Sequence, residues 1–387
     1  MANYDYEIVN GRKIRVRPKE TVSEIDKNGY FRRQPNHFTT PFGDGENDLK
    51  AEGNKRYRLV WAKLCHWSNR AAIVRELEGL EDQISVNMVE HAPHEKNLGW
   101  EYVYNENNID PVLGDQFLSE AYYRADDDYQ GRTTVPALID TTTGKVVNND
   151  YNWLTTYFEV NFRPWHKKGA PELYPVELRE EIDKMNLWLF DNINNAVYRS
   201  SFSRSNEGHF DGVNTFYAAM DRLEKRLETN RFLFGDYVTD SDIRLYVTLA
   251  RLDIRYTAQL GETKHPLYTY KNLWGYAKEL WEIPAFKNNT FFADFAVPPA
   301  DAKGRIEGEK DGFRASTHYD LALPKIDWDA QWKVSTERAY LSSDPTHPIY
   351  LGNNRRFDID PTWYDLGAES PKKEEKETPP SCGCCCG

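Results

Sequence analysis

The sequence has little of what membrane, secreted or nucleic-acid-binding proteins need. It contains no run of about 18 apolar residues, so we expect no membrane-spanning helix. Its first 25 residues are polar and charged, so we expect no secretory signal. Lys and Arg number 49 against 61 Asp and Glu, a net charge of −12. This acidic balance disfavours nucleic acid as a partner, because phosphate binding requires a basic surface.

Cysteine is scarce in the body of the chain. Only Cys65 lies there, and the other four of the five cysteines crowd the last six residues, at Cys382, Cys384, Cys385 and Cys386. A disulfide framework is therefore excluded for the folded part. This distribution predicts a protein of the reducing cytoplasm.

The length and the aromatic content indicate a folded protein of several parts. At roughly 150 residues per domain, 387 residues predict two or three domains. Aromatic residues make up 14% of the chain, which argues against wholesale disorder. The patterning predicts an irregular arm at 1–50, an α/β domain at 51–162 and an all-α domain at 163–300. An extension at 301–368 and a disordered Cys-rich tail at 369–387 follow.

A β-α-β unit opens the second of these parts. An apolar run at 58–64 predicts a buried strand, apolar residues at helical spacing predict a helix over 69–80, and alternation predicts a strand over 84–89. Residues 134–140 and 145–148 flank a Thr/Gly turn and predict an antiparallel hairpin.

From Glu177 onward the apolar period becomes helical and predicts a bundle. Apolar stripes indicate helices around 178–197, 213–227 and 272–281. Thr239 and Asp242 have the spacing of a capping box, which opens another helix running to about Tyr256. For Asp242 we expect this capping role rather than catalysis.

Cys65 lies where the first strand gives way to the helix. The unpaired N–H groups at a helix start stabilise a thiolate, which is the nucleophilic form of cysteine. Ser68 stands where a resolving cysteine would stand, so an external thiol would have to release a mixed disulfide. The alternative is an inert cysteine packed as a small hydrophobe. Pro136 falls inside a predicted strand, which is unusual and favours the functional interpretation.

Ordered blocks over roughly 25–290 resemble one family. They include Cys65-His66-Trp67-Ser68-Asn69-Arg70, Gly99-Trp100, Gly131-Arg132-Thr133-Thr134-Val135-Pro136, Val147-Asn148-Asn149, Asn194-Asn195-Ala196-Val197-Tyr198 and Asn272-Leu273-Trp274-Gly275-Tyr276. These blocks are similar to those of the glutathionyl-hydroquinone reductases, the Xi-class branch of the omega-like glutathione transferases. The resemblance implies a thioredoxin-like domain followed by an α-helical domain, in a homodimer. It also implies a cis bond before Pro136.

The resemblance implies a chemistry and a set of site residues. Cys65 would attack the sulfur of a glutathionyl-hydroquinone, and a second glutathione would reduce the mixed disulfide. Trp100, Arg132 and Val135 would hold glutathione. Tyr198 and Tyr256 would contact the aromatic substrate.

Departures from the family pattern concern the thiol site. A Cys-Pro-Trp-Ala pattern is replaced by Cys65-His66-Trp67-Ser68. We expect His66 to be solvated, or to add positive charge near the thiolate. Asp150-Tyr151 replaces the Glu-Ser pair that receives the γ-glutamyl end, which leaves another low-molecular-weight thiol open as the co-substrate.

Two other functions remain open on the sequence alone. A lyase or dehalogenase could use the same thiolate on another electrophile, and a glutathione-transferase-like binding protein could lack catalysis. We expect no metal site, because His209, His265 and His318 lack ligand spacing. The tail thiols could bind soft metals or zinc, or be oxidised, and a tail without a defined site is the plainer expectation.

Overall fold

The computed structural model describes residues 4–17, 23–91, 98–261, 266–296, 326–333, 337–342 and 358. The tail predicted at 369–387, with its four cysteines, lies outside these residues, as does most of the extension predicted at 301–368.

The N-terminal arm begins with a short hairpin, where we expected irregular structure. Strand β1 (Tyr6–Val9) pairs antiparallel with β2 (Arg12–Arg15). Asn10 and Gly11 join them with φ of 50° and 78°, and an Asn-Gly pair favours such a turn because both positions need positive φ. The residues of β1 are largely exposed, so the sequence here has no apolar pattern that would predict a strand.

A four-stranded mixed sheet forms the core of the next part. The buried strand β3 (Tyr57–Trp61) pairs in parallel with β4 (Ile84–Met88). Two short strands, β5 (Glu90–His91) and β6 (Trp100–Glu101), form a separate pair at the side.

The sheet is completed by the predicted hairpin. Strand β7 (Ala137–Asp140) pairs antiparallel with β3, and β8 (Lys145–Asn148) pairs antiparallel with β7. The strand order β4-β3-β7-β8 is the thioredoxin-like order that the resemblance implies.

Three helices pack around this sheet, α1 (His66–Leu77), α2 (Leu118–Ala125) and α3 (Leu154–Val160). Helix α1 begins three residues earlier than the apolar spacing predicted. Cys65 is its N-cap residue, with an extended backbone at φ −83° and ψ 119°. The early start places the whole Cys-x-x-Ser segment on the first turn of the helix.

The second half is helical, as predicted. Its α-helices in the described residues are α4 (Arg179–Leu189), α5 (Ala196–Phe202), α6 (Asn206–Arg226), α7 (Asp240–Leu249), α8 (Thr257–Leu260), α9 (Lys271–Trp281), α10 (Pro284–Asn288), α11 (Phe292–Ala296) and α12 (Trp328–Trp332). Wider π turns at Phe190–Asn194 and Leu252–Tyr256 interrupt two helices that the sequence predicted as continuous.

The predicted capping box opens α7. The Thr239 N–H donates to Oδ2 of Asp242 over 2.8 Å. The other oxygen of this carboxylate accepts from the Tyr276 hydroxyl over 2.8 Å and from the Leu233 N–H over 2.9 Å. Asp242 is fully buried. Its hydrogen bonds join α7 to the neighbouring loop and to α9.

Candidate active site

Cys65 lies at the junction of sheet and helix. Its N–H donates to the Ala62 carbonyl over 3.0 Å, and its own carbonyl accepts from the Asn69 N–H over 2.9 Å. Sγ lies 3.5 Å from the Val135 carbonyl oxygen. Cys65 is a free thiol with 7% of its surface exposed. The surrounding residues therefore cover most of Cys65.

The loop beside the thiol contains a cis peptide bond between Val135 and Pro136, as the resemblance implied. The loop is held by hydrogen bonds from α2 and from the residue that follows β8. The Tyr122 hydroxyl donates to the Thr134 carbonyl over 2.8 Å, and Asn149 Nδ2 donates to Thr134 Oγ1 over 3.1 Å. These contacts keep Val135 against Cys65.

The helical half also fixes the segment that precedes Cys65. The buried guanidinium of Arg251 donates from Nε to the Leu64 carbonyl over 2.9 Å and from Nη2 to the Lys63 carbonyl over 3.0 Å. It also donates to Asn69 Oδ1 over 3.1 Å. One side chain from the second half thus ties the start of α1 in place.

Two tyrosines from the helical half lie near the thiol. Tyr198 belongs to α5, and Tyr256 ends the second π turn. Burial raises the pKa of the Tyr198 phenol, and the nearby Cys65 charge adds to this effect. Burial also raises the pKa of Tyr256 well above its usual range, with Tyr198 as the next cause. Both phenols are therefore neutral at physiological pH.

His66 differs from what the sequence predicted. We expected a solvated or positively charged residue, but the side chain is fully buried. Burial, with the nearby charges of Arg251 and Arg33, lowers the pKa of His66 well below its usual range. The helical half covers the ring, whose centroid lies 5.1 Å from that of Tyr198 and 5.9 Å from that of Tyr256. His66 is therefore neutral and adds no positive charge to the thiol.

Trp100 and Arg132 line one groove, together with Arg17, His91, Gly99 and Thr133. The Trp100 indole N–H donates to the Thr133 carbonyl over 3.1 Å. Arg132 donates from Nε and Nη2 to the carboxylate of Glu24 over 2.8 and 2.9 Å. The guanidinium predicted to hold the thiol therefore already has an acidic partner from the arm.

Asp150 and Tyr151 face different surroundings. Oδ1 of Asp150 accepts from Asn36 Nδ2 over 2.9 Å and from the Asn152 N–H over 3.0 Å. The Tyr151 ring lies in an aromatic cluster, 4.7 Å from the Trp67 ring centroid. The structure thus brings Asp150 close to the arm and packs Tyr151 against the first turn of α1.

The sequence did not indicate the arm residues that reach this site. Beyond Glu24 and Asn36, the arm contributes Arg33, whose guanidinium carbon lies 4.4 Å from the Tyr198 ring centroid and 5.1 Å from that of Trp67. Its Nε donates to Asn195 Oδ1 over 2.9 Å. The only signal in the sequence is a basic pair within an aromatic segment, which does not reveal the partner.

Within the part of the chain that the structure describes, no group of three or more His, Cys, Asp or Glu side chains could hold a metal ion. His209, which we considered as a ligand, bonds through Nδ1 to the Ser200 carbonyl over 2.9 Å. Among the same described residues, no helix is long and apolar enough to cross a membrane.

Comparison with known proteins shows the family. Residues 197–279 match the family model of the glutathione S-transferase C-terminal domain. The chain is 34% identical over 277 residues to a Schizosaccharomyces pombe protein named glutathione S-transferase omega-like 2, covering 69% of this chain and 87% of that one. It is 33% identical over 237 residues to the Escherichia coli glutathionyl-hydroquinone reductase YqjG, covering 61% of this chain and 72% of that one.

The fold matches as well. The crystal structure of the glutathione-S-transferase Xi from Phanerochaete chrysosporium superposes with a TM-score of 0.64 at 33% identity. The match covers 69% of this chain and 91% of that one. A thioredoxin-like domain followed by an α-helical transferase domain is therefore the fold class. The chain belongs to the glutathionyl-hydroquinone reductases, the Xi-class branch of the omega-like glutathione transferases.

Proposed function

We propose that this enzyme uses glutathione to remove the glutathionyl group from glutathionyl-hydroquinones, through a mixed disulfide on Cys65. The observation that carries the proposal is the position of Cys65. It caps α1, its sulfur lies 3.5 Å from the Val135 carbonyl oxygen beside a cis proline, and two neutral tyrosines lie close by. These features support the proposal, because a thiol nucleophile, a backbone edge that suits a thiol peptide and polar groups that suit a phenolic ring would then work together.

The reaction has two steps, each an attack of a thiolate on the glutathionyl sulfur. The Cys65 thiolate attacks the glutathionyl sulfur, the bond between that sulfur and the ring carbon breaks, and the ring carbon takes up a proton as hydroquinone leaves. A second glutathione then attacks the glutathionyl sulfur of the mixed disulfide, so that oxidised glutathione leaves and Cys65 is free again. Ser68 at the third position of α1 cannot form an internal disulfide, which is why an external thiol is needed.

The residues divide into two sets around Cys65. Trp100, Arg132, Val135, Asp150 and Tyr151 form the thiol side, and Tyr198 and Tyr256 form the side that meets the aromatic ring. Arg132 supplies a planar donor that suits a carboxylate. Its Nη1 is not used by Glu24, so a thiol carboxylate can bind there while the ion pair remains.

The test is turnover of glutathionyl-hydroquinone with glutathione, with hydroquinone release followed by chromatography. Wild type should release hydroquinone, and intact-protein mass spectrometry without glutathione should show one glutathione on Cys65. Cys65→Ser, which keeps the size of the side chain, and Cys65→Ala should both lose turnover and adduct. The matched control is Ser68→Ala, which alters a buried hydroxyl on the same helical turn and should keep both. No release by wild type would refute the proposal.

Two outcomes would favour the other functions. Loss of halide or another leaving group from a different electrophile, dependent on Cys65, would indicate a lyase or dehalogenase. Ligand binding without any Cys65-dependent turnover would indicate a binding protein. An adduct of a different thiol from cell extract would replace glutathione as the co-substrate.

The remaining features of the proposal concern organisation. We propose a cytoplasmic homodimer with a thioredoxin-like unit at 51–162 and an α-helical unit at 163–300. A small aromatic thioether is the substrate, and neither nucleic acid nor a membrane is a partner. Light scattering on the purified full chain tests the dimer, and a mass of one chain would contradict it.

A further inference from the structure

His66 is a buried polar side chain that the reaction described above does not use. It is the first residue of α1, directly after Cys65, and none of its surface is exposed. Its Nδ1 lies 3.1 Å from the Tyr256 hydroxyl oxygen and 3.3 Å from Thr248 Oγ1. Its Nε2 is buried and has no hydrogen-bond partner among the residues described.

The hydrogen-bond network determines which ring nitrogen carries the proton. Within the described chain, His66 Nδ1 is the one acceptor that the Tyr256 hydroxyl reaches. A buried hydroxyl hydrogen without an acceptor costs free energy, so Tyr256 donates to Nδ1. Thr248 Oγ1 accepts from Asn194 Nδ2 over 2.8 Å, which leaves its own hydrogen to point at Nδ1 as well. Among the described residues, a hydrogen on Nδ1 would leave both the Tyr256 hydrogen and the Nε2 lone pair without a partner, whereas a hydrogen on Nε2 leaves only that one hydrogen unpaired. Nδ1 is thus the acceptor, and the hydrogen of the neutral ring lies on Nε2.

The charges around the ring keep this arrangement in place. Burial opposes a positive charge on His66 most strongly, and Arg251, Arg33 and Arg70 oppose it further. The groups packed on the ring are the neutral Tyr198 and Tyr256 phenols and Trp67. A ring that stays neutral continues to accept the Tyr256 hydrogen when the solution becomes mildly acidic.

The two tyrosines consequently have different hydrogen-bonding properties. Because Tyr256 has its hydrogen directed at His66, its oxygen offers only lone pairs to a ligand. Tyr198 makes no hydrogen bond through its hydroxyl within the described residues, so it is free to donate. The hydroxyl of a phenolic substrate can donate its hydrogen to the Tyr256 oxygen. An oxygen on the same substrate ring can accept the hydrogen of the Tyr198 hydroxyl.

We propose that His66 is a positioning residue that makes the Tyr256 oxygen a dedicated acceptor for a free phenolic hydroxyl of the substrate. The inference rests on the proposed function and narrows its substrate class. The enzyme selects aromatic substrates with a free hydroxyl over the corresponding methyl ethers, which have no hydrogen to donate to Tyr256.

The experiment is a double-mutant cycle on the full chain, with hydroquinone and its dimethyl ether as probes and calorimetry as the readout. Wild type should prefer hydroquinone by about tenfold, the size of one buried hydrogen bond. His66→Phe, Tyr256→Phe and the double variant should all lose this preference to the same degree, because His66 acts through Tyr256. His66→Asn, whose Oδ1 can accept the Tyr256 hydrogen, should keep the preference.

Several results would overturn the inference. They are additive losses in the double variant, an unchanged preference in His66→Phe, or a His66→Phe variant in which iodoacetamide modifies Cys65 several-fold more slowly while the preference is unchanged. If His66→Phe does not fold, the ¹⁵N signals of the wild-type ring decide instead. The inference requires a proton on Nε2 and none on Nδ1, and the reverse overturns it.

The outcomes also separate this inference from the proposed function. Wild type that binds hydroquinone selectively but does not turn over glutathionyl-hydroquinone would refute the proposed function and support the role of His66. Turnover without selectivity between hydroquinone and its ether would refute the role of His66 alone.

Discussion

The carboxylate of Glu24 holds the guanidinium of Arg132 through two hydrogen bonds, of 2.8 Å to Nε and 2.9 Å to Nη2. Burial opposes the charged carboxylate, but Arg132 outweighs it and holds the pKa of Glu24 below its usual range. Both groups are therefore charged at neutral pH. The N-terminal arm thus neutralises the arginine that we expect to bind the carboxylate of the thiol.

Glu24→Gln separates the geometry of this pair from its charge. The amide oxygen of glutamine still accepts a hydrogen bond, so Arg132 stays oriented, but its charge is no longer neutralised. We expect the KM for glutathione to fall about threefold in low salt, since a charge-assisted hydrogen bond is stronger than one to a neutralised group, with kcat unchanged. Steady-state kinetics at two salt concentrations measure this change.

Arg132→Met is the counterpart of that variant. It removes the donor and keeps the length of the side chain, so the KM for glutathione should rise tenfold or more. If both variants raise KM, the pair serves to fasten the arm and does not tune the attraction of the thiol carboxylate.

Arg251→Lys tests how the helical half supports Cys65. Lysine cannot donate at once to the Leu64 and Lys63 carbonyls and to Asn69, as the guanidinium does. We expect the free energy of unfolding to fall by about 3 kcal/mol and turnover to fall with it. The control is Arg199→Lys on α5, paired with a half-exposed Asp211 at 3.3 Å, which should change stability by less than about 1 kcal/mol. Equal stability of both variants in urea would show that Arg251 is dispensable.

Tyr151 variants test the aromatic cluster under the thiol site. The Tyr151 ring lies 4.7 Å from the Trp67 centroid and stacks on Phe190 at 6.0 Å. Tyr151→Phe keeps these contacts and should cost less than about 1 kcal/mol of unfolding free energy. Tyr151→Ser, which introduces the residue that the resemblance implies at this position, leaves a cavity and should cost about 3 kcal/mol. Urea denaturation measures both, and a Ser variant as stable as wild type would contradict the packing role.

Asp242 should make stability depend on pH. Burial raises its pKa to about 6 from the ordinary value of 3.8, despite the hydrogen bonds that it accepts. The native state therefore holds this proton more tightly than the unfolded state does. The resulting stabilisation is fully present below about pH 4 and is lost as the pH rises through about 6, by about 3 kcal/mol in total.

The comparison variant is Asp242→Asn, which cannot titrate. Wild type should gain stability over this variant as the pH falls from 7 to about 5, as measured by urea unfolding at each pH. A constant difference between the two proteins over this range would show that Asp242 does not titrate there.

Local signals in the sequence predicted most of the elements that carry the site. The apolar strand before Cys65 and the helix after it follow from residues adjacent in the chain, and so does the Thr239–Asp242 cap. The boundaries were less accurate. The helix at Cys65 starts early because its first turn consists of His66, Trp67 and Ser68, which are buried by packing and not by their own apolar pattern.

Contacts between distant segments could not be read from the chain. His66 appeared to be a solvated position because its neighbours in sequence say nothing about Tyr256 and Thr248, which cover it. Glu24 and Arg33 lie in an arm with no periodic pattern, so its path over the site was not predictable. Hydrogen bonds and ion pairs depend on direction and distance, and local patterns specify neither across 100 residues.

The sequence by itself determined the family, the order of the two halves and the cysteine that we propose as the nucleophile, because these depend on motifs and periodicity within short segments. Only the tertiary structure decided the environment of that nucleophile. It brought the Val135 carbonyl oxygen to 3.5 Å from Cys65 Sγ, paired the Glu24 carboxylate with the Arg132 guanidinium and buried His66 as a neutral ring. Charge and hydrogen-bonding state depend on burial and on partners from other elements, which exist only once the chain has folded.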